Sequence, residues 1–261
     1  MAPRLRKSSI TIHLNEPHVL LPWAQLTNLT LDYPSLDAIL DILAQCASLV
    51  YASLITSRWH VYVAAVQLTR PPIILSHLHA LSLDLEHPKH MTRFKSVVSA
   101  PALEILHLNF MSMHHTTRAP FLMQSPNITR LEICGSHSLT SHELVGTLRH
   151  TVLLTHLELA YLTRHSLDDA LIDALSCKDG VAPLVPYLHH LVLKKIDTHG
   201  FATKAFEHML LSRWWTDAEI TSSPPVVSRW TQVELRGKYS EQFIESTYAD
   251  VAAQGSTSRS Y

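Results

Sequence analysis

Apolar and polar positions along the chain fall into one repeated six-residue phrase, plainest at Leu154-Thr155-His156-Leu157-Glu158-Leu159. Leucines hold its first, fourth and sixth positions, and from His156 onward polar and apolar residues alternate. A period of two predicts a short strand with one buried face. The phrase returns at Leu26-Leu29-Leu31, Leu78-Leu81-Leu83, Leu103-Leu106-Leu108 and Leu188-Leu191-Leu193, and conservatively at Ile128-Leu131-Ile133. Leu49-Ala52-Leu54 and Trp230-Val233-Leu235 are degenerate copies. From the first residue of each copy to the next, the steps are 23, 29, 25, 25, 26, 34 and 42 residues. A near-constant step that lengthens only late points to stacked repeats with insertions.

Between the phrases the apolar period shifts to that of helices. Ser35 is a candidate N-cap, and Leu36, Ile39, Leu40 and Leu43 fall on one face. Further helical stretches are predicted over Met91 to Ser99 and Ser141 to Thr151, the latter with Leu144, Val145 and Leu148 aligned. Ser166 to Cys177 follows, with Ser166 and Asp169 as a capping-box variant and Leu167, Ala170, Leu171, Ala174 and Leu175 along one side. Phe201 to Trp214 carries Phe206, Met209 and Leu210. Prolines at Pro71-Pro72, Pro101, Pro126, Pro183 and Pro186 stand where a helix must end before the next phrase. Insertions are expected over Lys178 to Pro183 and Trp215 to Ser228, and a terminal helix over Glu241 to Ala253.

A strand–helix unit cannot hide its own apolar face, whereas stacked units can. The expected fold is therefore α/β: a leucine-rich-repeat solenoid, or horseshoe, with parallel strands on a concave face, helices on a convex one, and irregular repeats. The expected organisation is an N-terminal capping strand within 1–19, built on Ser9 to Leu14, then the repeat domain over 20–253 and a disordered tail over 254–261. The six leucines Leu29, Leu81, Leu106, Leu131, Leu157 and Leu191 are expected in the core. The third, fifth and seventh positions of each phrase face away from it.

Composition narrows the function classes. The 261 residues carry a formal net charge of -1, which gives a nucleic-acid or membrane-surface role no electrostatic support. Three cysteines far apart, Cys46, Cys134 and Cys177, argue for reduced thiols in a cytoplasmic or nuclear setting. No apolar run approaches a membrane span, and no secretory signal is seen at the N-terminus. Six glycines and no glycine-rich loop leave no phosphate cradle.

The stretch Leu21-Pro22-Trp23-Ala24-Gln25-Leu26-Thr27-Asn28-Leu29-Thr30-Leu31, followed by a helix and Cys46-Ala47-Ser48-Leu49, resembles the leucine-rich-repeat region of basidiomycete F-box proteins. Pro183 to Leu193 and Met209 to Trp214 look like the late repeat of that family and the helix that follows it. The resemblance covers roughly residues 20 to 238. It implies a substrate-recognition module of a ubiquitin ligase. The F-box itself is not seen before Leu20, so the isolated chain is expected not to bind the ligase adaptor unless an F-box lies upstream. Positions such as Pro34, Glu86, Met111, Ser136, Leu162 and Ile196 also lack the Asn or Cys that often forms a hydrogen-bonded ladder in such repeats.

Candidate chemistry is sparse. The chain has 19 histidines, but the adjacent pairs His114-His115 and His189-His190 should point to opposite faces of a strand, and no carboxylate or thiolate frame accompanies His77, His79, His87 and His90. No G-x-S-x-G is present, and Asp168-Asp169 beside His165 suit a helix N-terminus. No enzyme activity, cofactor or metal is expected. Trp214, Trp215 and Trp230 are read as core or capping residues and Trp59 as exposed. What remains is the polar stripe on the concave face, whose middle holds His107, Asn109, Arg130, Glu132, His156, Glu158, His190 and Lys194. A protein partner is expected there, with no nucleic acid and no membrane, and with binding that varies as the histidines titrate. The alternative is a truncated structural fragment with no partner.

Overall fold

The computed structural model describes residues 6–11, 21–33, 35–55, 70–84, 88–109, 125–136, 139–178, 180–196, 202–214 and 227–237. They divide into two compact units, Met1–Cys134 and Gly135–Tyr261. The fold is α/β, and every strand pairing within each unit is parallel.

The first unit contains β1 (Lys7–Thr11), β2 (Asn28–Asp32), α1 (Leu36–Leu43), β3 (Tyr51–Ile55), β4 (Ile73–Ile74), β5 (Ala80–Asp84), α2 (Pro88–Val97), β6 (Val98–Ser99), β7 (Ile105–Asn109) and β8, which begins at Arg130. Strands β1, β2, β3, β5, β7 and β8 lie side by side in chain order, and the short β4 and β6 pair separately. Register carries the leucine phrase across the sheet. Leu29, Ala52, Leu81, Leu106 and Leu131 stand opposite one another, as do Leu31, Leu54, Leu83, Leu108 and Ile133. All ten are buried. The N-terminal strand falls at Lys7–Thr11, two residues before the predicted start, and adds to β2 at the sheet edge.

The second unit contains α3 (Ser141–Leu148), β9 (His156–Leu162), α4 (Asp169–Leu175), β10 (His190–Lys194), α5 (Thr203–Leu211) and β11 (Gln232–Arg236). Here Leu157 pairs with Leu191 and Leu159 with Leu193, all at most 1% exposed. The degenerate last phrase leaves Val233 and Leu235 only half-buried on β11.

The joints between strands repeat as faithfully as the leucines. In each, one carbonyl at the second position of a phrase accepts two consecutive N–H groups of the next phrase. Thr27 receives Val50 and Tyr51, Val50 receives His79 and Ala80, His79 receives Glu104 and Ile105, and Glu104 receives Thr129 and Arg130. In the second unit Thr155 receives His189 and His190, and His189 receives Thr231 and Gln232.

The helices follow local chemistry, with corrections. α1 begins at Ser35, whose Oγ accepts from the Ala38 N–H, and buries Leu36, Ile39, Leu40 and Leu43 as their spacing requires. α2 stops at Val97, and the next two residues pair with β4 instead of extending the helix to Ser99. α3 is capped by Thr140 in a reciprocal box with Glu143, and it ends at Leu148, short of Thr151. Leu144 and Leu148 are buried, but Val145 stays half-exposed.

α4 corrects the predicted start. Its cap is Asp168, whose carboxylate accepts from the N–H groups of Ala170 and Leu171. Ser166 is buried and donates its hydroxyl to the Leu139 carbonyl, a bond across 27 residues that leaves it no role as a cap. Because the helix begins two residues after Leu167, Ala170 is exposed and Ile172 takes a core place. α5 buries Phe206, Met209 and Leu210 as expected. Trp230 is in the core, whereas Trp214 is 41% exposed, contrary to its predicted role. Trp59, Trp215, the Trp215 to Ser228 insertion apart from its last two residues, the Glu241 to Ala253 helix and the 254–261 tail lie outside the described residues.

Candidate functional site

The outward face of each sheet, opposite the leucines, is where the sequence places the candidate residues. The eight fall four to a unit.

In the first unit, alternation along β7 and β8 turns His107, Asn109, Arg130 and Glu132 away from the core. Register sets His107 beside Glu132. Imidazole Nδ1 lies 2.7 Å from one carboxylate oxygen of Glu132, and Arg130 Nε donates to the other at 2.7 Å. The Glu132 side chain is 19% exposed, His107 36% and Arg130 47%. One carboxylate thus gathers two donors while one of those donors stays open to solvent. On the neighbouring strand β5, the Asp84 carboxylate accepts from Asn109 Nδ2 at 3.1 Å. Burial pushes the Asp84 carboxyl above its ordinary value, opposed by the Asn109 hydrogen bond and the His107 charge. The Asn109 carbonyl oxygen is buried with no hydrogen-bond partner.

The hydrogen bond from His107 holds the Glu132 carboxyl down to about 2, with burial opposing it and Arg130 helping. A carboxyl held below its usual 4.5 adds stability above that value and loses it as pH falls toward 2. Glu132→Gln is therefore expected to lower stability at pH 7 by about 2 kcal/mol, a gap that closes as the pH approaches 2. Urea unfolding of parent and variant across that range measures it, and a gap independent of pH would break the link to Glu132.

In the second unit, β9 and β10 place His156 beside His190 and Glu158 beside Val192. The rings of His156 and His190 lie 4.9 Å apart, tilted at 45°. Glu158 forms an ion pair with Lys194, and Glu234 with Arg236. His190 Nε2 is 3.9 Å from Glu234. The rule that this face is polar breaks twice. Ala160 at 3% and Val192 at 6% exposure are both buried at outward positions. In register, Val192 is flanked by Glu158 and Glu234, both drawn into ion pairs.

Sequence reasoning missed His189. Its ring also meets His156, edge-on at 5.1 Å, so both members of the His189-His190 pair reach one imidazole. Alternation separates neighbours only inside a strand, and His189 precedes β10, where the chain is still turning in. Its Nδ1 is 3.0 Å from Thr231 Oγ1. The repeat spacing marks that boundary, since His189 holds the second position of its phrase. Among the described residues, no three His, Cys, Asp or Glu side chains are grouped to hold a metal ion.

Cys46 is fully buried, and burial pushes its thiol up to about 11; Cys134 and Cys177 are partly exposed, and none of the three is in a disulfide. Among the described residues no helix is long and apolar enough to cross a membrane. The fold and this polar strand face define an α/β protein built on parallel strands. No protein-family model matches the chain, and no curated protein matches it in sequence.

Proposed function

We propose that the protein is a leucine-rich-repeat module that binds another protein without catalysing a reaction, similar in role to the substrate-recognition repeats of an F-box ubiquitin ligase. One observation carries this reading. Within each unit, successive parallel strands present polar side chains of both charge signs in fixed register on the face away from the leucines. Such an array offers many directional contacts to a protein surface, and repeat proteins use their strand or groove faces this way. Outward residues are held by their neighbours, as His107 and Arg130 are by Glu132, so less side-chain entropy is lost when a partner docks.

In this reading the partner contacts His107, Asn109, Arg130 and Glu132 in the first unit and His156, Glu158, His190 and Lys194 in the second. The test is an affinity purification from cells that compares the parent with the combined variant His107→Ala, Arg130→Ala and His156→Ala. Circular dichroism confirms that the variant is folded. Proteins captured by the parent are expected to be lost from the variant. Retention of every partner by the folded variant would refute the strand-face assignment.

A further inference from the structure

The late lengthening of the repeat has a structural product. The step from Leu154 to Leu188 is 34 residues, against 25 or 26 for the three before it. Part of the extra chain runs past the end of α4 over 176–178 and 180–184. There it walls a groove of about 430 Å³ against the C-terminal end of α3 and the face of α4. That volume lies within the range of real ligand sites.

The lining has two parts. Val145, Val152, Val181 and Leu184 supply an aliphatic surface, and Val152 and Val181 are 50% and 61% exposed. The apolar lining therefore runs out onto the protein surface and does not close around a small molecule. The rest is charged. Lys178 is matched in place by Asp173 through an ion pair. Arg149, exposed at the groove, has no ion pair and no side-chain hydrogen bond among the described residues. The groove thus offers aliphatic contact together with one uncompensated cation.

We propose that this groove docks a short acidic–aliphatic peptide segment of a partner protein. An aliphatic side chain of the segment packs against Val145, Val152 and Leu184, and a neighbouring carboxylate pairs with Arg149. An arginine suits this role because its planar fork meets a carboxylate with two parallel hydrogen bonds. An acidic segment is favoured over a basic one because the described lining residues carry two cations, Arg149 and Lys178, and one anion, Asp173. This site lies on the helix side of the second unit and does not depend on the strand-face reading.

The experiment selects from a random-peptide library displayed on phage, using the full chain as bait. Selected peptides are then synthesised with a fluorescent label and titrated by anisotropy. Enriched peptides are expected to carry Asp or Glu next to Leu, Ile or Val. Arg149→Glu and Val181→Asp should each weaken their binding about tenfold or more. Arg149→Lys, which keeps the charge but not the fork, should bind between the parent and Arg149→Glu, and added salt should weaken binding. Both positions are exposed, and circular dichroism checks that the variants fold. The variant His107→Ala, Arg130→Ala and His156→Ala should bind these peptides as the parent does, which separates this site from the strand face. The proposal is overturned if no sequence is enriched, if enriched peptides lack acidic residues, or if Arg149→Glu and Val181→Asp leave their affinity unchanged.

Discussion

Leu157→Asp leaves the second unit without a cooperative unfolding transition. Leu157 is 1% exposed at the centre of β9 and faces Leu191 across the ladder. Removing a buried leucine side chain costs about 2–5 kcal/mol. Placing a carboxyl there without hydrogen-bond partners adds about 2 kcal/mol or more, whether it stays charged or takes up a proton. The sum is comparable to the whole stability of a typical domain, about 5–15 kcal/mol. The neighbouring Glu158→Ala makes the contrast. Glu158 points outward and pairs with Lys194, and a pair of that kind is worth about 1 kcal/mol or less. Urea titration followed by circular dichroism compares the two. A Leu157→Asp protein with a midpoint near the parent's would show that the leucine ladder is not the core.

The second large effect is expected at Arg213, just after α5. Its side chain is fully buried, with Nη1 donating to the carbonyls of Val185 and Leu188 at 3.0 and 3.1 Å. The guanidinium carbon lies 5.2 Å from the Trp230 ring centre. Its Nε and Nη2 atoms have no hydrogen-bond partner, nor does Trp230 Nε1. Burial lowers the guanidinium from its ordinary value to about 10, a penalty of about 3 kcal/mol on the cation. The two hydrogen bonds return about 1.5–3 kcal/mol each. Charge and bonds therefore nearly cancel, and the packed volume decides the outcome. Arg213→Met keeps that volume and should change stability by less than about 2 kcal/mol. Arg213→Ala loses the same two bonds as Arg213→Met and the packed volume besides, and should cost about 3–5 kcal/mol. Equal losses in the two variants, read by urea unfolding, would mean that the charge and not the volume dominates.

The strands were legible in the sequence because two constraints agree in each phrase. Alternation fixes which side chains face inward, and the repeat step fixes which strands are neighbours. Leu29, Leu81, Leu106, Leu131, Leu157 and Leu191 needed nothing more to be placed in the core. α1 was legible for the same reason, with cap and apolar spacing in one short stretch. The start of α4 was not. Ser166 and Asp168 are both good N-caps, and the choice rests on a bond from Ser166 to a carbonyl 27 residues away. Arg213 was also hidden, since no local pattern marks a charged residue that tertiary contacts bury.

Of the candidate site, the outward direction of His107, Arg130 and Glu132 was legible from alternation. Their pairing was not, because it depends on how one strand registers against the next. Val192 and Ala160 were visible as breaks in the alternation. Their burial comes from neighbouring side chains that no single phrase contains. The groove at Arg149 was signalled only by the long step in the repeat, which told where extra chain exists but not what it encloses.

The doubly accepting carbonyl at each strand joint bears on how this sequence is free to change over time. The joint is made by main-chain atoms alone, so it constrains the side chain at the second position very little. Thr, Val, His and Glu all serve there, at Thr27, Val50, His79 and Glu104. Only proline is barred at the second and third positions, since either N–H would be lost, and none of the eight phrases carries one there. Copies of the phrase can therefore differ in most of their polar residues and still stack in register. Polar residues at these positions are then free to change with little cost to folding, and the strand stack can persist after the leucine phrase itself has become hard to read.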